Sequence, residues 1–189
     1  MEKIIRLLEK KFNCTVDSNL GKLVNFSSYK ENEFQRWVYY QEGFSPYILD
    51  WFINYKKLNT KNKIFFDPFC GAGTSLIRSK QIGMKAVGIE LNPFSFHLSK
   101  VKSVNYTKKE LEFFENYKLP KLKKIENVSS SYELSIINNL FTENNLIKIE
   151  LIKRSLNSIK SKKIREIIKT TLLCVLEKTS KYKKSGNGL

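Results

Sequence analysis

The residues best equipped for chemistry are two acids, Asp67 and Glu90, and the glycine turn between them. The segment Asp67-Pro68-Phe69-Cys70-Gly71-Ala72-Gly73-Thr74-Ser75 follows an apolar run, Ile64-Phe65-Phe66. A helical stretch and a second apolar run, Ala86-Val87-Gly88-Ile89, then lead to Glu90-Leu91-Asn92-Pro93. At the end of a parallel strand, a glycine turn lets a ligand come close to the backbone. Gly71 and Gly73 put no side chain in the way and tolerate positive φ. A helix opening near Thr74 aims its free N–H groups and positive dipole end at the same spot. Asp67, at the strand's carboxyl end, can bind a cationic group or an ordered water. Glu90, about twenty residues past the turn, can accept both hydrogen bonds of a ribose diol. Acid, Gly-x-Gly turn, helix, strand and second acid, in that order, make the entry half of a nucleoside-cofactor site. No Gly-Lys-Ser/Thr follows, so the turn is not a phosphate loop. The third glycine of the dinucleotide fingerprint is missing too, which weighs against a nicotinamide cofactor.

These residues need elements to hold them. The spacing predicts strands at Ile64–Phe66 and Ala86–Ile89, with a helix from about Thr74 to Gln81 that Gly83 terminates. Strand, helix and strand at this length imply a right-handed parallel crossover. A helix from about Phe94 to Lys102 follows Pro93. Upstream, Gly43-Phe44-Ser45-Pro46 reads as a helix start, with Ser45 as N-cap and Pro46 in the first turn. The helix Tyr47–Lys57 then carries Ile48, Trp51, Phe52 and Tyr55 on one side. Glu2–Phe12, with Ile4, Ile5, Leu7, Leu8 and Phe12 at helical spacing, predicts an amphipathic helix docked on the domain core. Between them the pattern is irregular. Phe34, Trp37, Tyr39 and Tyr40 cluster around Arg36, a grouping that suits core packing or a base-stacking platform.

Past Lys108 the glycine turns stop. Helical segments are expected at Glu110–Tyr117, Glu133–Leu140, Asn144–Ile159 and Lys162–Thr179, with Thr142 and Ser161 as N-caps. Ile147, Leu151 and Ile152 recur at helical spacing, as do Ile164, Ile167, Ile168, Leu172, Val175 and Leu176. The fold class is therefore α/β: a cofactor-binding core over residues 1–108 and a helical annex over 109–189. The annex ends in a basic tail from Lys178, expected to be mobile.

Of the 189 residues, 41% are hydrophobic, enough for a buried core. No apolar run nears the roughly 18–20 residues that cross a bilayer, and charges break up Met1–Phe12, unlike a signal peptide. Three cysteines without a Cys-x-x-Cys, and a single histidine, argue against a metal site. They suit a reduced, cytoplasmic protein. The formal charge of +16 suits a nucleic-acid partner. A generally Lys-rich composition is the other source of such a charge.

The turn Asp67–Ser75 resembles the first motif of S-adenosylmethionine-dependent DNA methyltransferases that modify exocyclic base amines, Asp-Pro-Phe-x-Gly-x-Gly-Thr. Gly88-Ile89-Glu90-Leu91-Asn92-Pro93 resembles their second motif. Arg36-Trp37, with Glu42-Gly43-Phe44-Ser45-Pro46, is similar to the segment upstream in one branch of these enzymes. A weaker likeness reaches the annex, at Ser180 and Ser185-Gly186-x-Gly188. The resemblance implies a partial Rossmann-like class I methyltransferase core and S-adenosylmethionine as cofactor. It implies that Asp67, Phe69, Gly71, Gly73 and Thr74, within the loop that also holds Pro68, Cys70 and Ser75, line its methionine and ribose side. Glu90 would hold the ribose, Leu91 or Asn92 would lie near the adenine, and Phe44, Ser45 and Tyr47 would close the pocket. Cys70 takes the motif's variable position and reads as a small filler rather than a nucleophile. His97 reads as a packed or surface residue.

The same family carries an Asp/Asn/Ser-Pro-Pro-Tyr/Phe motif that grips the flipped base. The four prolines here, Pro46, Pro68, Pro93 and Pro120, are never adjacent. No catalytic residue is therefore assigned, and the acid of a third core strand is not apparent. The expectation is the N-terminal subunit of a split DNA amino-methyltransferase of a restriction-modification system, acting on double-stranded DNA. A second subunit in a heterodimer would carry the catalytic motif. A truncated remnant, a non-catalytic cofactor- or DNA-binding regulatory subunit and an RNA methyltransferase are the alternatives.

Overall fold

The computed structural model describes residues 2–12, 20–24, 34–38, 43–118 and 139–182. They form two compact units, Met1–Ser99 and Lys100–Leu189.

The first unit is built on strands β1 (Ile64–Asp67) and β2 (Lys85–Gly88), paired in parallel with Ile64 opposite Lys85 and Asp67 opposite Gly88. Its helices are α1 (Glu2–Phe12), α2 (Leu20–Val24), α3 (Tyr47–Tyr55), α4 (Thr74–Gln81) and the first part of α5 (Pro93–Ser103), with a 3₁₀ turn at Phe34–Trp37. Helix α4 spans the residues that the sequence predicts. Gly83 ends it at φ 82°, donating to Lys80 O, while Met84 N–H reaches back to Ser79 O. That pair of bonds satisfies carbonyls a helix end would otherwise leave unpaired.

Three expectations change here. Helix α1 forms, but Ile4, Leu7, Leu8 and Phe12 are exposed, so these four side chains are not buried on the core as predicted. The expected apolar side of α3 is also not its buried one. Phe52 and Tyr55 are exposed, and Leu49 is the buried residue. Asp50 fixes that rotation by gripping the Arg78 guanidinium of α4 through contacts of 2.7–3.1 Å. Helix α3 starts at Tyr47 as the sequence predicts but ends at Tyr55, short of Lys57, and its N-cap is Pro46 rather than Ser45, although the Ser45 hydroxyl still accepts the Tyr47 N–H at 3.2 Å. Of the aromatic cluster, Phe34 and Trp37 meet at 5.5 Å between ring centres, tilted by 44°. Tyr39 and Tyr40 lie outside the described residues.

The second unit is helical. After α5 come α6 (Lys108–Glu115), α7 (Glu143–Ser158) and α8 (Lys162–Thr179). Thr107 and Glu110 cap α6 reciprocally, two residues before the expected start. Thr142 and Ser161 cap α7 and α8 as the sequence predicts. The core holds Val101, Leu146, Leu156, Ile159, Ile164, Ile167, Ile168 and Leu172. On α7 the buried positions are Leu146 and Leu156, whereas Ile147, Leu151 and Ile152 are only half-buried. Val175 of α8 is exposed. The predicted helix Glu133–Leu140 falls outside the described residues except for Asn139 and Leu140, and the tail beyond Tyr182 falls wholly outside them. No helix among the described residues is long and apolar enough to cross a membrane.

Candidate cofactor-binding site

The site starts from a clamp on Ile89. Its N–H donates to Asp67 O at 2.9 Å, and its carbonyl accepts from Cys70 N–H at 3.0 Å. The next residue, Glu90, must therefore emerge beside the glycine turn. The charges of Asp67 and Glu90 both reach the Cys70 thiol. Sequence positions more than twenty apart are thus brought to one end of the strand pair.

Asp67 organises the turn. Its Oδ1 accepts the Phe69 N–H at 3.0 Å, and its Oδ2 accepts a short hydrogen bond from the Ser75 hydroxyl. Ser75 is buried in the first turn of α4, so the carboxylate ties the strand to the helix start. Gly71 has φ 52° and Gly73 φ 86°. Gly73 is the N-cap of α4, and a Cβ there would lie 2.9 Å from Ser99 Cα and Cβ. That glycine is demanded by backbone handedness and by α5 as well as by any ligand. The first-turn N–H groups of α4 have no acceptor within the helix, as at every helix start. Pro68, Phe69 and Thr74 complete the turn. Phe69 is 88% exposed.

Glu90 accepts the Asn92 N–H on Oε1 at 2.7 Å. Asn92 in turn accepts from Phe94 and Ser95 N–H at 2.9 and 3.1 Å, which makes it the cap of α5, with Pro93 as that helix's first residue. Leu91, between them, is 92% exposed. Cys70 is buried. Burial pushes its thiol pKa up, Asp67 and then Glu90 add to the rise, and a hydrogen bond with Ser99 opposes it. Such surroundings disfavour the thiolate that a nucleophile needs. His97 sits on α5, partly buried.

Phe44, Ser45 and Tyr47 belong to the α3 start rather than to the turn. Ser45 is fully enclosed, its N–H on Leu23 O at 3.1 Å and its hydroxyl on Tyr47 N–H, so it holds the backbone in place. The Tyr47 ring lies 5.0 Å from the Arg78 guanidinium, a turn along α4 from the glycines. Phe44 is half-buried.

Sequence reasoning placed Gly88 in the second strand but gave it no role of its own. A Cβ there would sit 2.7 Å from both Cys70 Sγ and Leu76 Cδ1. The signal was available, because a glycine inside a strand marks a close approach. A groove of about 520 Å³ between α7 and α8 is lined by Glu150, Lys153, Arg154, Arg165, Glu166 and Lys169 among others, and by none of the residues above. Among the described residues no cluster of three or more His, Cys, Asp or Glu could hold a metal ion.

The chain is thus mixed α/β, with a glycine turn and two acids gathered at one end of a parallel strand pair. It is similar over 96% of its length to the Type II methyltransferase M.BsoBI of Geobacillus stearothermophilus, at 31% identity. It is 28% identical over 97% of its length to the Type II methyltransferase M.AvaI of Nostoc sp.. A third relative, the Type II methyltransferase M.MvaI of Kocuria varians, is 24% identical over 96% of the chain. The chain spans only 36%, 39% and 40% of these relatives' own lengths. No protein-family model and no solved structure matches it.

Proposed function

We propose that this chain is the cofactor-binding part of an S-adenosylmethionine-dependent DNA amino-methyltransferase of a restriction-modification system. A second polypeptide would supply the remaining strands and the Pro-Pro-Tyr/Phe motif. The observation that carries the reading is the junction of the Asp67–Ser75 turn with Glu90, in a chain similar along nearly its whole length to Type II methyltransferases.

The residues present fit that cofactor. Glu90 engages one oxygen with Asn92 N–H, and a carboxylate has about four lone-pair sites, so acceptor capacity remains for a ribose diol. Asp67 places negative charge near a cationic ligand, while its bonds to Phe69 and Ser75 keep it from turning away. Exposed Phe69 and Leu91 offer apolar surface beside both acids. When bound, the cofactor supplies a methyl group on a sulfonium, ready for in-line attack by a base amine. This chain's own residues bind and orient. Cys70 takes no covalent part, since its thiol is buried and kept protonated. Basic residues of the helical unit would contact phosphates, which positions DNA without reading its sequence.

Titration calorimetry with S-adenosylmethionine tests the reading. Wild-type chain should bind, and Glu90→Ala should weaken binding by about 1.5–3 kcal/mol, as for lost hydrogen bonds to a charged group. Unchanged affinity would refute the ribose role. The isolated chain should transfer no methyl group to DNA, and activity should appear when a polypeptide bearing the Pro-Pro-Tyr/Phe motif is added. Methylation by the chain alone would refute the need for a second polypeptide.

A further inference from the structure

One face of the strand pair is closed and the other is open. Phe65, Asp67, Ala86 and Gly88 point toward α4, as the Asp67–Ser75 bond and the Gly88–Leu76 approach require. Ile64, Phe66 and Val87 alternate to the opposite side, and Ile89 continues the row beyond β2. They are 63%, 57%, 52% and 51% exposed. Parallel strands are ordinarily buried on both faces, because the crossovers that connect them lay helices there. Four large apolar side chains left in water on such a sheet therefore mark a surface awaiting a cover.

Topology indicates what the cover is. A right-handed crossover that steps one way along a sheet puts its helix on one face, and a step the other way uses the opposite face. The step from β1 to β2 has α4 on the Gly88 face. Among the described residues no third strand pairs with β1. A strand added to that free edge by a parallel crossover would lay its helix over Phe66 and Val87. The direction of winding would then reverse at β1, and open α/β sheets bind ligands at such a reversal, beyond the carboxyl ends of the strands. The turn Asp67–Ser75 stands at that end of β1. The relatives supply the material, since more than half of each lies outside its match to this chain.

We infer that the Ile64–Phe66–Val87–Ile89 face is the docking surface for the second polypeptide, which adds a strand at the free edge of β1 and covers this face with a helix. The inference rests on the reading that a second polypeptide completes the enzyme.

The test co-expresses this chain with the part of M.BsoBI that lies outside their match, as a separate polypeptide. Phe66→Asp and Val87→Asp should each weaken the complex roughly tenfold or more, as for central apolar contacts. Tyr55→Asp, an exposed aromatic on α3, should not. Thermal melting of the isolated variants should match wild type, since both altered side chains stand in water. Without any mutation, hydroxyl-radical labelling of Phe66 should fall on complex formation. A complex that tolerates both substitutions and leaves Phe66 labelled overturns the surface but spares the two-polypeptide reading. Absence of any complex overturns both. A dimer of this chain alone that Phe66→Asp dissociates would make a second copy the occupant and overturn the inference.

Discussion

The two units treat their apolar residues in opposite ways. Lys100–Leu189 encloses Ile164, Ile167, Ile168 and Leu172, and shuts in even a lysine, Lys102, at 5% exposure. Met1–Ser99 packs Leu76 and Ile77 of α4 tightly yet leaves Phe66, Val87 and, on α1, Ile4, Leu7 and Phe12 exposed. A helical hairpin can bury its stripe against its own partner, because each helix needs one neighbour. A parallel sheet needs cover on two faces, and the described residues supply one. The unit with the candidate site is thus the one whose core is left open.

Four substitutions can break or sharpen this contrast. Ile164→Ala should have the largest effect, about 3–4 kcal/mol of lost stability in denaturant unfolding, because a filled core cannot collapse around the void. A much smaller loss would mean that the helical unit is not closed.

Lys102→Met should act in the opposite direction. Burial lowers the Lys102 pKa from 10.5 to about 8, opposed by the nearby Cys174. Between those values Lys102 holds more proton in the unfolded chain than in the folded one, so its own contribution to stability rises with pH there. Enclosing the charge costs on the order of 3 kcal/mol below pH 8. The variant should be more stable than wild type at neutral pH, and its advantage should fade between pH 8 and 10. The thiols of Cys70 and Cys174, both raised chiefly by burial, and above pH 10 the Tyr106 phenol act with the opposite sign in both proteins. Tyr106, pushed up to about 12 chiefly by burial, ionises first in the unfolded chain. A constant gap between the two melting curves across this range would refute the buried-charge account.

Gly88→Ala probes the closed side of the sheet. The added methyl meets Cys70 and Leu76 at 2.7 Å, and overpacking of this kind costs about 2 kcal/mol. Phe66→Ser probes the open side and should change the isolated chain by under about 0.5 kcal/mol. If those two losses were equal, the two faces would not differ as described.

Much of the site was legible because its code is local. Gly83 after α4, the helix start at Pro93 and the Thr142 and Ser161 caps of α7 and α8 are short-range patterns written in nearby residues. So were both strands and the Asp67–Ser75 turn, to within a residue at each end. Helical faces were less legible. Spacing grouped Ile48, Trp51, Phe52 and Tyr55, yet the Asp50–Arg78 pair, 28 positions apart, turned Leu49 inward instead. Periodicity names a stripe, but only a neighbouring element decides which stripe it covers. The amphipathic pattern of α1 likewise said nothing of whether a partner surface exists.

By itself the sequence determined the glycine turn between the two acids and the order of turn, helix and acid, since each follows from backbone preferences within a few positions. Tertiary structure alone decided that Ile89 is held between Asp67 and Cys70, that Gly73 must admit Ser99, and that Phe66 and Val87 face water. Those outcomes depend on contacts between residues distant in the chain, and no local preference encodes them.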